Sequence, residues 1–312
     1  VKRVEIPASL RGDGTLVSVI VPTYGDSEYL PKALESVAGQ THDNVEIVVV
    51  DSSGVDWLQS LANETDGVRY EYQEPRGLSA ARNRAVEIAS GDIVAFLDAD
   101  DWWEPEKLEH QLPEIENGAD VVYCDAYIVD GDSTRRMSTL PVEDAENHYL
   151  DFLYEGGVPV PTVIARRACV ERERFDERLD AVEDFHLLVR LFREYTPARV
   201  PEPLAYYNRR SDSMSSDLDA MYENSLQALE LLFERYPDLR DHRDRLLADA
   251  EYAHAKRLIR EGQPAEARKS VVSAIRRGTR DRRAFALLLV SLLPGYNRRA
   301  FELLERGQER LR

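Results

Sequence analysis

Residues 76–101 read RGLSAARNRAVEIASGDIVAFLDADD, and the fold turns on this stretch. Ser79 is placed to cap a helix running through ARNRAVEIA, and Ser90-Gly91 are placed to stop it. The apolar run IVAFLD at 93–98 then reads as a buried strand ending on Asp98. Working back toward the start, VSVIVP at 17–22, VEIVVVD at 45–51 and VRYEYQ at 68–73 read as three further strands. A helix-compatible segment at 28–38 follows the first of them. Strands alternating with helices predict an α/β fold with an open, mostly parallel sheet. In such sheets a ligand lies at the carboxyl ends of the strands, where Asp51 and Asp98 stand.

Working forward, residues 105–117 read as a helix and 120–127 as a strand. VPTVIARRAC at 160–169 reads as a strand feeding a helix. EDFHLLVRLFREY at 183–195 has helical apolar spacing at Phe185, Leu188, Val189 and Phe192. Beyond 217 the strand signals stop, and 220–236, 241–261, 264–277 and 282–293 all read as helices. The pair EYAHAKRLIREG and QPAEARKSVVSAIRRG resembles one tetratricopeptide-like hairpin, short of the roughly three units a stacked array needs. The expected division is therefore 1–217 for the sheet domain and 218–312 for an all-helical extension.

Composition narrows the function classes. The 312 residues are 43% hydrophobic and 31% charged, which excludes disordered and fibrous classes. Cys124 and Cys169 cannot form a disulfide framework or a CxxC zinc site. The opening VKRVEIPASLRGDGTLVSVIVPTY has no signal-peptide apolar core, and no stretch reaches the roughly 20 apolar residues of a membrane span. The expectation is an intracellular, cytoplasmic protein. A net charge of −18 argues against nucleic acid as a partner. Only five of the 40 basic residues are lysine, and this acid-rich, lysine-poor balance resembles that of a halophile's cytosolic protein.

The charge is uneven. Residues 256–312 carry 15 Lys and Arg against 6 Asp and Glu, a net +9, whereas the preceding 255 residues are at −27. Within this tail AFALLLVSLL, 284–293, is almost wholly apolar and is stopped by Pro294-Gly295. As a helix it would span about 15 Å, too short to cross a bilayer. Arg276, Arg277, Arg280, Arg282 and Arg283 precede it, and Arg298 and Arg299 follow. Two readings stand: a core helix packed on the preceding hairpin, or peripheral contact with an anionic membrane surface.

Dinucleotide and P-loop chemistry are excluded, because Pro22-Thr23-Tyr24-Gly25-Asp26 after the first strand has one glycine and no GK[ST] follows. What remains is Asp98-Ala99-Asp100-Asp101. Two carboxylates one residue apart at a strand end can share a divalent cation that holds a diphosphate, and hard oxygen ligands favour Mg2+ or Mn2+.

Taken together, VSVIVPTYGDSEYLPKALESVAGQT, VEIVVVDSSG, RGLSAARNRAVEIASGDIVAFLDADD and FDERLDAVEDFHLLVRL, colinear over about 16–215, resemble the family 2 glycosyltransferases. The resemblance implies an inverting, metal-dependent hexosyltransferase with the GT-A nucleotide-diphospho-sugar transferase fold. By the same resemblance, Pro22, Thr23 and Tyr24 line the nucleotide pocket and Asp51 accepts from uracil N3–H. Arg76 and Arg82 lie beside the nucleotide and diphosphate, Asp98 approaches ribose or metal, and Asp100 ligates the metal. Asp184, after Glu183, is the general base. Each has an ordinary alternative: a strand cap at Asp51, a helix ion pair at Arg82, a helix N-terminal charge pair at Glu183-Asp184. Where the family often carries an HxxSxS-like segment, this chain has Arg210-Ser211-Asp212-Ser213-Met214-Ser215. Arginine cannot ligate a cation but can pair with a phosphate, which places Arg210 on the diphosphate. The implied partners are a UDP-sugar and a hydroxyl acceptor, either a lipid-linked glycan of protein N-glycosylation or a surface polysaccharide. A catalytically silent scaffold is the rival reading. A nucleotidyltransferase would need a glycine-rich phosphate loop that this sequence lacks.

Overall fold

Val17–Thr23 (β1) is buried at every position, and so is Val45–Asp51 (β2) beside it. Continuous burial explains why both read as unbroken β-branched runs and not as alternations: a parallel strand is covered on both faces. Leu30–Ala38 (α1) crosses between them, started by a proline in its first turn and burying Leu30, Ala33, Leu34 and Val37. Asp56–Glu64 (α2), Val68–Tyr72 (β3), Leu78–Ile88 (α3) and Ile93–Phe96 (β4) complete this half. The computed structural model describes residues 9–25, 28–54, 56–210, 217–279, 282–292 and 301.

The second half of the sheet begins with Trp102–Trp103 (β5) and Lys107–Glu116 (α4). Val121–Asp130 (β6), Ser133–Met137 (β7), His148–Glu155 (α5), Val163–Arg166 (β8) and Arg167–Glu173 (α6) follow. Glu183–Glu194 (α7) and Pro197–Arg209 (β9) close it. The strand order is β3-β2-β1-β4-β8-β6-β9-β5, with β7 on β6. β1, β2, β3 and β4 pair in parallel, whereas β8 runs antiparallel to both β4 and β6. The chain leaves β1 toward β2 on one side and reaches β4 on the other, so the crevice beyond Thr23, Asp51 and Phe96 is the switch point where α/β sheets bind ligands.

Two glycines are dictated by space and backbone. A Cβ on Gly91 would lie 2.5 Å from the Leu16 carbonyl oxygen, so only glycine lets the chain turn against the start of β1. Gly77, at φ 89°, is the N-cap of α3. The cap expected at Ser79 is thus two residues too late: Ser79 lies inside the helix, and its hydroxyl donates to the Leu179 carbonyl at 3.2 Å.

The chain divides into two units, Val1–Ser213 and Met214–Arg312. Asp217 caps Leu218–Arg235 (α8) by accepting from the Ala220 N–H. Arg243–Arg260 (α9), Pro264–Arg276 (α10) and Arg282–Ser291 (α11) follow. Ala255, Leu258, Ile259, Ala267, Val271, Ala284, Leu287, Val290 and Phe301 form their common core. Over residues 284–292 this segment therefore packs one side on the hairpin, while Phe285 and Leu289 remain exposed; Leu293 lies outside the described residues. Pro294, Gly295, Arg280, Arg298 and Arg299, like the side chains of Arg282 and Arg283, lie outside the described residues. No helix among the described residues is long and apolar enough to cross a membrane.

Candidate active site

Three side chains on one side of α3, spaced i, i+3 and i+4, reach about a hundred residues ahead. Ser79 holds the Leu179 carbonyl. Asn83 accepts from the Phe175 N–H at 2.9 Å and donates to the Phe175 carbonyl at 3.0 Å and to Glu177 at 3.1 Å. Arg82, 1% exposed, donates to Asp98 just beyond β4 at 2.5 Å and to Glu183 at the start of α7. Two stretches that are distant in sequence are thereby joined under one guanidinium.

That guanidinium lies 5.3 Å from the Phe175 ring centroid, and Phe175 meets Phe96 edge to face at 5.5 Å. Burial opposes its charge, but Asp98 and Glu183 more than offset this and hold Arg82 protonated. Burial pushes the Glu183 carboxyl up to about 7, against the pull of Arg82. Burial raises Asp184 as well, again opposed by Arg82. Asp184 is half-buried, and its Oδ1 accepts the Phe185 N–H at 2.7 Å. The two neighbours thus differ: Glu183 is spent on an internal ion pair, and Asp184 keeps an edge outward. Val182, immediately before them, is left-handed at φ 55°. A β-branched residue is strained there, and such strain marks sites where direction of a side chain matters more than stability.

Asp98 and Asp100 are half-buried, while Asp101 is 1% exposed and its Oδ1 accepts the Asn208 N–H at 2.7 Å. Its Oδ2 has no hydrogen-bond partner, and burial together with the charges of Asp98 and Asp100 holds Asp101 well above the usual carboxylate range. Arg210 at the end of β9 lies 3.8 Å from Asp100 and 5.2 Å from the Tyr29 ring. Ser211, Asp212, Ser213, Met214 and Ser215 lie outside the described residues. Tyr207, unmarked in the sequence, stands among the same acids; burial and then Asp101, Asp184 and Asp98 push its phenol up to about 12.

At the far edge Pro22 and Thr23 are buried at the end of β1, and Tyr24 is 77% exposed. Asp51 is fully buried. Its Oδ1 accepts from the Ser53 N–H at 2.8 Å and the Ser53 hydroxyl at 2.7 Å, and its Oδ2 accepts from the Tyr70 hydroxyl at 3.1 Å. The Ser53 hydroxyl oxygen in turn accepts the Gly25 N–H at 2.7 Å. Asp51 thus ties together the loops following β1 and β2. Arg76 is exposed and 3.4 Å from Glu177, apart from the Arg82 centre in its bonding. Burial pushes the Cys124 and Cys169 thiols up to about 11, so neither is a poised nucleophile.

Among the described residues no three His, Cys, Asp or Glu side chains group to hold a metal. Asp98 and Asp100 supply two hard-oxygen donors that crowd like charge with Asp101. That donor set fits Mg2+ or Mn2+ when a diphosphate and water complete the coordination.

Comparison with known proteins agrees with this architecture. AmsB, the amylovoran biosynthesis glycosyltransferase of Erwinia amylovora, is 30% identical over 209 residues, 61% of this chain and 69% of its own. EpsH of Bacillus subtilis is 30% identical over 207 residues, and the chain spans 60% of its length. S. aureus TarS 1–349, solved in complex with UDP-GlcNAc, matches with a TM-score of 0.61 at 23% identity, covering 91% of this chain and 88% of that one. That likeness shows the fold, the GT-A architecture with its helical C-terminal region. The family described as glycosyl transferase family 2 matches residues 18–175, half of the sequence, and the chain belongs to it.

Proposed function

We propose that the chain is a glycosyltransferase that moves a sugar from a UDP-sugar to a hydroxyl acceptor, with inversion at the anomeric carbon. The observation that carries this reading is the convergence of Asp98 and Glu183-Asp184 on buried Arg82. Inverting transfer is one in-line displacement, which asks for a base on the acceptor side and charge compensation on the diphosphate side. Asp184 takes the acceptor proton; its raised carboxyl is a stronger base than an ordinary aspartate. Glu183 and Arg82 hold that helix start against Asp98.

On the other side, Asp98 and Asp100 would hold Mg2+ or Mn2+, which when bound offsets charge on the leaving diphosphate. Arg210, already beside Asp100, is placed to pair with the same phosphates. Pro22, Thr23 and Tyr24 would line the nucleotide pocket, with exposed Tyr24 offering a ring face to the base. The uracil preference assigned to Asp51 would act through the oxygen shared with Tyr70, while its other oxygen orders Ser53. Arg76 would approach the nucleotide from the exposed rim. A UDP donor is supported by the UDP-GlcNAc that TarS holds on the same fold. A surface-glycan acceptor, lipid-linked or polysaccharide, is in keeping with AmsB, named for amylovoran biosynthesis.

Thermal unfolding with UDP, Mn2+ or both, in wild type and Asp100→Ala, tests the donor side. At about 100 times Kd, UDP with Mn2+ should stabilise the wild type by about 2.7 kcal/mol. Neither alone should match this, and Asp100→Ala should lose the gain from adding metal. Metal-enhanced UDP binding that survives in Asp100→Ala would remove the ligand assignment. Incubating a panel of UDP-sugars with a lipid extract, read by mass spectrometry, would then identify the sugar and the acceptor.

A further inference from the structure

We propose that the outward face of α11 seats the protein on an anionic lipid surface, with Phe285, Leu289 and Leu292 entering the headgroup boundary. The proposal goes beyond the transfer reaction and does not depend on it. Positions 285, 289 and 292 are spaced i, i+4 and i+7, so they share one side of the helix and the turn that ends it. They are 47%, 66% and 52% exposed, and they make up three of the five exposed large hydrophobic residues described. The opposite side, Ala284, Leu287 and Val290, is buried against α9 and α10. The helix is thus fixed by one face and offers the other.

The partner's chemistry follows from charge. The chain holds 58 acids, yet the twenty residues 282–301 include none, and they carry Arg282, Arg283, Arg298 and Arg299. Acidic residues would be expected on any solvated helix of so acidic a protein. Their absence from the stretch of sequence that carries the exposed apolar stripe suits a surface that repels carboxylates and attracts guanidinium groups. Membranes of anionic phospholipid provide both an apolar layer and a phosphate plane. At ten residues α11 is about 15 Å long, too short to span the hydrocarbon core, so it would lie in the interface. Arg268 donates to the Ser291 carbonyl at 2.7 Å and pins the end of the helix to α10, which leaves the exposed face presented rigidly.

The test is flotation of the full chain with vesicles of phosphatidylcholine alone or mixed with phosphatidylglycerol. It compares wild type with the triple variant Phe285→Gln/Leu289→Gln/Leu292→Gln. All three side chains are exposed, so circular dichroism and melting temperature should not change. Wild type should float with the anionic vesicles, and the triple variant should partition at least about 10-fold less. Raising salt should weaken wild-type binding by screening the arginines but should not restore the variant. Equal flotation of the two proteins, or none by either, would overturn the proposal. So would light scattering that shows a wild-type dimer and a variant monomer, since the face would then belong to a second copy. A large drop in the variant's melting temperature would likewise assign the face to the protein's own packing.

Discussion

Asp184→Asn should bind UDP-sugar as tightly as wild type and turn over about 10²-fold more slowly or worse. The substitution keeps shape and the Phe185 N–H bond while removing the basic oxygen. Glu183 cannot take over readily, because it is buried and bound to Arg82. Its own substitution, Glu183→Gln, should instead slow turnover while keeping the acid limb of the pH profile, and without loss of stability, because burial already disfavours that charge. This is the signature of a positioning residue. Burial raises Asp184 above its ordinary range, so the acid limb of kcat/KM should lie above the free aspartate value of about 3.9. Steady-state kinetics of both variants across pH separate the two roles. Near wild-type turnover by Asp184→Asn would move the base elsewhere.

Arg82→Met should cost about 3–5 kcal/mol of unfolding free energy, because it leaves Asp98 and buried Glu183 without their cation. Glu183 sits at about 7 in the folded chain against an ordinary 4.5, so the folded state binds that proton more tightly. Stability therefore rises as pH falls from about 7 toward 4.5, and the rise should be steeper once Arg82 no longer opposes protonation. Adding Glu183→Gln to Arg82→Met should recover part of the loss, since the orphaned carboxylate is gone. Denaturant unfolding of the single and double variants measures both effects. Full stability of Arg82→Met at neutral pH would show that the centre is not held by this pair.

Much of this was legible in the sequence because buried parallel strands write themselves plainly. β1, β2 and β4 are near-unbroken apolar runs, and Asp51 and Asp98 mark their ends. The expected helices at 183–195 and 264–277 differ from α7 and α10 by one terminal residue. β9 was not legible. It contains Pro197, Pro201 and Pro203, and its register with β6 shifts around Asp125, so no alternation survives to signal a strand. The N-cap of α3 was misplaced because a left-handed glycine, and not a serine hydroxyl, starts that helix.

In the site, residue types marked the acids, but the pairing that organises them spans about a hundred residues. Arg82 with Glu183, and Asn83 with Phe175, are contacts no local pattern encodes. Val182 looks like an ordinary helix-start valine until its backbone is seen. Asp51 carried two readings, base contact and strand cap, and its bonds to Ser53 and Tyr70 give the second a definite structure. The 284–293 run carried two readings; over 284–292 one face is packed as the first expected, and the other face is open.

The stereochemistry of transfer tests the central claim most directly. Proton NMR of the anomeric region, recorded as the enzyme consumes an α-linked UDP-sugar in the presence of acceptor, reports the configuration of the first product formed. A β-linked product, lost together with turnover in Asp184→Asn, is the result expected of a single displacement with Asp184 as base. An α-linked product, or a β-linked one formed at an undiminished rate by Asp184→Asn, would contradict it.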